Sequence, residues 1–176
     1  MSDFIKYVIR FLLFVLIQHF MLNQIPPLHH TAVPMLYYLF ILWLPFGIGR
    51  APLLIVCFML GLSMDFFTKT PGMHAAAAVL IGYFRPFLIN ILMPQQGVEF
   101  NYKEPSVQSL GIIPYISYAA ILTLIHHFCL FSIQAFQFGD IYYLLIKTSV
   151  SLLISLVLIL IVELIFHRNQ KFLTNT

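Results

Sequence analysis

Charge is what this sequence has least of. Only 9% of its 176 residues are Asp, Glu, Lys or Arg, while 61% are hydrophobic, against roughly a quarter charged and half apolar in a soluble domain. So few polar side chains cannot cover a water-facing surface, which excludes a soluble catalytic domain of any size. Two cysteines, Cys57 and Cys129, lie inside apolar runs without a CxxC spacing; they read as buried free thiols and say little about redox compartment. The net charge of +3 is dispersed, with no basic cluster interleaved with aromatics, so nucleic acid is not an expected partner. Neither HxxxH nor HExxH occurs, internal repeats and low-complexity tracts are lacking, and no metal or cofactor is expected.

Long apolar runs are what the sequence does have, and its mean hydropathy is +0.94. At about 20 residues per span there is room for roughly six helices in one transmembrane domain. The expected fold class is an all-α polytopic membrane protein with spans near 4–22, 33–48, 51–67, 71–93, 111–136 and 141–166.

The first run, behind Asp3, Lys6 and Arg10, resembles a signal sequence, but no small-x-small cleavage site follows, so it reads as a retained span. The next loop, with Pro26-Pro27 and His29-His30, has no Lys or Arg, as expected outside the cytoplasm. The apolar stretch 35–46 is about half a normal span, and on length alone it reads as re-entrant or interfacial. Charge bias favours a crossing: Lys6, Arg10, Arg50, Lys103, Arg168 and Lys171 then share the cytoplasmic side with both termini, leaving Lys69 outside. Tyr37, Tyr38 and Trp43 fit interfacial anchors.

The third span carries Cys57, Gly61 and Asp65 every four residues, one narrow stripe suited to close helix approach. A short outer turn follows, in which Thr70-Pro71 reads as an N-cap and first helical residue, with Gly72 next. On the fourth span Ala78 and Gly82 form a small-xxx-small face. His74 and Arg85 lie eleven residues apart on nearly the same side, about 16 Å along the axis. That distance excludes one active site built from Asp65, His74 and Arg85. The hydrophilic stretch 94–110, with Gln95, Gln96, Glu99, Lys103 and Glu104, reads as a cytoplasmic loop.

Ionisable groups in lipid need a reason. Asp65 and His74 suggest a bond across the outer hairpin, serving either to fasten it or to form a partner- or ligand-facing patch. Arg85 suggests snorkelling to the headgroups, a structural ion pair inside the bundle with Glu163 or Glu99 as counter-charge, or a contact with a partner. His126 and His127 diverge by about 100 degrees on a helix, so together they do not readily hold one ion. Lys147, four residues before Ser151, has the spacing of a Ser/Lys pair without a second protease signature, and an enzyme is not expected. By depth, the polar residues gather toward the outer half, as an outward-facing small-molecule concavity or a partner seat would require.

Gly61-Leu62-Ser63-Met64-Asp65 followed by Thr70-Pro71-Gly72-Met73-His74-Ala75-Ala76, with the short six-span plan, resembles the MreD family of rod shape-determining membrane proteins. Arg85-Pro86 and His126-His127 resemble its Bacteroidetes-type version. The resemblance implies a non-enzymatic inner-membrane subunit of the cell-elongation complex. Its implied partners are an MreC-like bitopic protein, the actin-like MreB filament, and the polymerase and transpeptidase of lateral wall synthesis. That family is similar in fold to the substrate-binding subunits of energy-coupling-factor vitamin transporters, so the alternative is a small-molecule-binding transporter subunit. For partner binding the expected residues are Asp65, Thr70, Pro71, Gly72, His74, Ala78 and Gly82; Arg85, His126, His127 and Lys147 are expected to be structural.

Overall fold

A computed structural model describes residues 3–24, 32–92, 102–135 and 141–166. The first helix, α1 (Asp3–Ile17), continues into a π-helical turn at Gln18–Leu22; α2 is a single turn, Leu39–Leu42. Four further helices of unequal length complete the first six: α3 (Arg50–Thr68), α4 (Met73–Leu92), the short α5 (Val107–Leu110) and α6 (Ile112–Ala135). The last is α7 (Ile141–Ile165).

Five stretches are long and apolar enough to cross a membrane: Phe4–Leu22, Arg50–Thr68, Met73–Leu92, Ile112–Ala135 and Ile141–Ile165. Large apolar side chains cover their outer faces, among them Phe66, Tyr83, Phe87, Ile113 and Leu164, each more than 60% exposed. Polar residues point inward: on α7 the buried stripe is Thr148, Ser151, Ser155, Ile159 and Glu163. This inversion of the soluble pattern identifies a helical multi-pass membrane protein.

The helices run the length of the bundle in alternating directions. Asp65 of α3 meets the start of α4, and Tyr118 of α6 meets Arg85 of α4. On α7, Ser155 meets His127 of α6, and Glu163 meets Tyr115. The first helix is parallel to α3, because His19 stacks on Phe67 at one end while Arg10 pairs with Glu104 at the other. Parallel neighbours need a return path between them.

That path is not the expected helix over 33–48. Only Leu39–Leu42 is helical, and the rest of the stretch is extended or turned. This thread nevertheless runs lengthwise through the interior. Val33 lies at Ser151, Tyr37 at His74 and His126, Trp43 at Tyr115, and Phe46 at Lys103. Residues 35 to 44 are all buried, and Tyr37, Tyr38, Leu39, Ile41 and Leu42 are completely so. The expected interfacial anchors Tyr37, Tyr38 and Trp43 are therefore core residues, with their polar atoms bonded inside.

Sequence spacing anticipates the tightest packing, between α3 and α4. Cys57, Gly61 and Asp65 all face α4 and are buried. A Cβ placed on Gly61 would lie 2.5 Å from the His74 carbonyl oxygen and 2.6 Å from the Ala75 nitrogen; one on Gly82 would lie 2.5 Å from Cys57 Sγ. At Gly61 the neighbouring atoms are backbone, so only glycine permits the approach, whereas at Gly82 the Cys57 side chain would have to move.

The second half of the expected loop 94–110 is folded under the bundle. Glu104, Ser106, Ser109 and Leu110 are buried, and Ser106 and Ser109 form a reciprocal cap on α5. Gln95, Gln96 and Glu99, like His29, His30, Arg168 and Lys171, lie outside the described residues.

Candidate functional site

A thread without regular secondary structure has backbone groups that hydrocarbon cannot satisfy, each costing several kcal/mol if left unpaired. Here side chains from four surrounding helices supply the missing partners. The wider π-helical turn ending α1 begins at Gln18, which is buried. Gln18 Oε1 accepts from the backbone N–H of Leu36 at 2.6 Å and of Tyr37 at 3.3 Å, while Nε2 donates to the Pro34 carbonyl at 3.1 Å. From α7, Ser151 Oγ accepts from Val33 N at 3.0 Å and Ser155 Oγ from Met35 N at 3.1 Å.

At the other end of the thread Arg85, 1% exposed, donates from Nη2 to the carbonyls of Leu44 and, at 3.4 Å, Pro45. Its Nε donates to the Tyr118 hydroxyl at 3.1 Å, and that hydroxyl donates onward to the Leu42 carbonyl at 3.1 Å. Arg85 thus neither snorkels nor pairs with Glu163. It binds carbonyls of the segment just after α2, where the chain has left regular structure and the backbone has no helical donors. Glu163 instead accepts from Tyr115 at 2.8 Å and from Val107 N at 3.2 Å. Trp43 Nε1 donates to the same Tyr115 hydroxyl at 3.2 Å.

The thread's own aromatic side chains complete the lattice. The Tyr37 hydroxyl lies 3.1 Å from His74 Nδ1 and 2.6 Å from His126 Nε2. One phenolic proton can serve only one of them, so the hydroxyl donates to one imidazole and accepts from the other. Tyr38 donates to Thr123 at 3.1 Å and stacks on His126 with centroids 4.4 Å apart. His126 and His127 diverge as their helical spacing requires. Nδ1 of His127 bonds the Thr123 carbonyl at 2.9 Å, and its Nε2 accepts from Ser155 at 3.2 Å. Among the described residues no group of three or more His, Cys, Asp or Glu side chains is placed to hold a metal ion.

The outer hairpin is built differently from its sequence expectation. Helix α4 begins at Met73, not at Pro71, and its cap comes from the preceding helix. Asp65 Oδ1 accepts from His74 N at 2.8 Å and Oδ2 from Ala75 N at 3.0 Å; Thr70 Oγ1 donates to Oδ1 at 3.2 Å. The carboxylate charge therefore rests on the N-terminus of α4 rather than on the His74 imidazole. Lys69 closes α3 in the left-handed region at φ 56°, and Gly72 follows at φ 83°.

Of the seven residues expected to bind a partner, Asp65, His74, Ala78 and Gly82 are buried within the fold, Thr70 is half-buried, and Pro71 and Gly72 are exposed. Phe66, Phe67 and Lys69 share that exposed hairpin surface with Pro71 and Gly72. Lys147 is not brought to Ser151: its Nζ donates to Gln134 at 3.0 Å and lies 4.5 Å from the centre of the Phe131 ring. Sequence reading did not find the work of Gln18, Tyr115 and Tyr118. The available signal was Pro34 and Pro45 bracketing a stretch too short for a helical span.

Two lateral grooves, of about 800 and 410 Å³, flank α3. The larger opens between α1 and α3 over Phe40 and Leu44 of the thread, and its lining is almost wholly apolar. No protein-family model matches the chain, and neither does a curated protein or a solved structure.

Proposed function

We propose that this chain is a non-catalytic scaffold subunit of a bacterial cell-elongation complex, of the MreD type, seated in the inner membrane. In this reading the thread is a sixth crossing, which puts both ends of the chain on the cytoplasmic side and the Asp65 hairpin outside. The observation that carries it is the commitment of most of the interior polar groups, with His19 Nδ1, His126 Nδ1 and Thr148 Oγ1 the buried atoms left without a partner among the described residues. Gln18, Ser151, Ser155, Arg85 and Tyr118 serve thread backbone, and His74 and His126 share the Tyr37 hydroxyl. Side chains engaged in this way are not poised for a ligand, so the outer polar bias supports a rigid body that partners dock against more than a vitamin-binding subunit.

The proposed docking partner is an MreC-like bitopic protein, which would meet the exposed tip formed by Phe66, Phe67, Lys69, Pro71 and Gly72. Buried Asp65, His74, Ala78 and Gly82 hold that tip in place. The MreB filament and the wall polymerase and transpeptidase are engaged directly or through that partner. Affinity purification of the full chain from native membranes tests this reading. Recovery of a bitopic MreC-like companion, with cells rounding on depletion, is the expected result. Recovery of ATPase subunits instead would overturn it in favour of a transporter.

A further inference from the structure

The smaller groove, about 410 Å³, lies between α3 and α4 and has two chemically distinct ends. Tyr83, Phe84 and Phe87 line its apolar length; Tyr83 and Phe87 are 68% and 62% exposed, on the outer face of the bundle. Arg50 and Asn90 line the groove as well, at the first residue of α3 and near the last of α4. Among the described residues neither side chain has a hydrogen-bond or ion-pair partner, and both are exposed. From Tyr83 to Asn90 the groove follows about 10 Å of helix axis at 1.5 Å per residue.

This arrangement differs from that of the arginines Arg10 and Arg85. Arg10 is neutralised by Glu104 at 2.8 Å, and Arg85 is enclosed by carbonyls. Arg50 alone of these three arginines presents an uncompensated guanidinium, whose planar fork suits the oxygens of a phosphate. Beside it the Asn90 amide can donate to the same group. An apolar channel opening toward hydrocarbon, ending in a free cation and an amide, has the polarity of a phospholipid molecule.

We propose that the groove binds an anionic phospholipid, with its phosphate on Arg50 and Asn90 and an acyl chain along Tyr83, Phe84 and Phe87. A charge near the headgroup layer also explains why Arg50 needs no protein partner, since the lipid supplies it.

Lipid selectivity at the groove can be read by fluorescence quenching of the full chain in phosphatidylcholine vesicles containing brominated phosphatidylglycerol or brominated phosphatidylcholine. Tyr83→Trp puts a reporter in the groove, while native Trp43, 4% exposed, is shielded from the quencher. The Tyr83→Trp signal should favour the anionic lipid about fivefold, the effect of one basic residue near the surface. Adding Arg50→Gln should reduce that ratio to about one, adding Arg50→Lys should retain most of it, and raised salt should weaken it. A reporter at Leu153→Trp, on the outer face of α7 at 64% exposure, should show a ratio near one. Equal quenching by the two lipids at Tyr83→Trp would overturn the site, as would a preference of the same size at Leu153→Trp or one untouched by Arg50→Gln.

Discussion

Single residues here act mostly on backbone. Asp65 reads from sequence as one half of an Asp–His pair, yet its carboxylate holds the N–H groups of His74 and Ala75. Asp65→Ala leaves both donors buried without that acceptor and should destabilise the protein by roughly 1–3 kcal/mol. Thermal unfolding in a fixed detergent measures this, and Asp65→Asn, which keeps one acceptor oxygen, should fall between Ala and the parent. His74→Ala should leave the cap intact because only the backbone of His74 takes part in it. Gly61 makes the complementary case. With His74 O and Ala75 N at 2.5 and 2.6 Å from any added Cβ, Gly61→Ala must push two backbones apart and should cost at least the ~1–3 kcal/mol typical of overpacking. The Cys57, Gly61, Asp65 stripe was legible because a spacing of four residues puts side chains on one face whatever the partner is. What the stripe meets is a fact of tertiary structure.

At the scale of elements, the thread is the part that sequence periodicity could not describe. Hydropathy marks residues 35–46 as apolar but carries no information on hydrogen bonding, and an apolar run of twelve residues is compatible with helix, strand or neither. The deciding physics is that its backbone needs partners, and Gln18, Ser151, Ser155 and Arg85 supply them. Two stability experiments follow from that dependence. Gln18→Leu removes one acceptor shared by Leu36 and Tyr37 and the donor to Pro34 and Asn23, and should destabilise more than Ser155→Ala, which removes the acceptor at Met35 and the donor to His127 and is expected to cost about 1–3 kcal/mol. Chemical or thermal unfolding of the two variants side by side gives the order. Amide hydrogen exchange should find Met35, Leu36 and Tyr37 protected at levels comparable with α4, although none lies in a helix. Rapid exchange there would mean that the thread opens independently of the bundle.

At the scale of the molecule, the directions of the helices make a topological prediction. Because α1 and α3 are parallel, the ends of α1 and α7 nearest Arg10 and Phe166 share one end of the bundle, with the Asp65 hairpin at the other. In a background with Cys57 and Cys129 replaced by Ala, Lys69→Cys should react with a membrane-impermeant thiol reagent in intact spheroplasts. Gln108→Cys, exposed at the opposite end, should react only after permeabilisation. Labelling of both from the same side would refute a full-depth passage by the thread.

Sequence alone determined the solvent. With 9% charged residues and 61% hydrophobic ones, the chain can expose its surface only to lipid, and its long apolar runs form five helices long and apolar enough to cross a membrane. It also determined that α3 has a close-packing face, since small side chains at that spacing admit a neighbour. Tertiary structure decided how the buried polar groups are used. A hydrogen bond depends on where both partners lie, and Gln18 reaches Leu36, Arg85 reaches Leu44 and Ser151 reaches Val33 across separations of 18, 41 and 118 residues. No local pattern encodes those pairings, so side chains that look like the lining of a binding site in sequence become the partners of an internal backbone once the bundle closes around it.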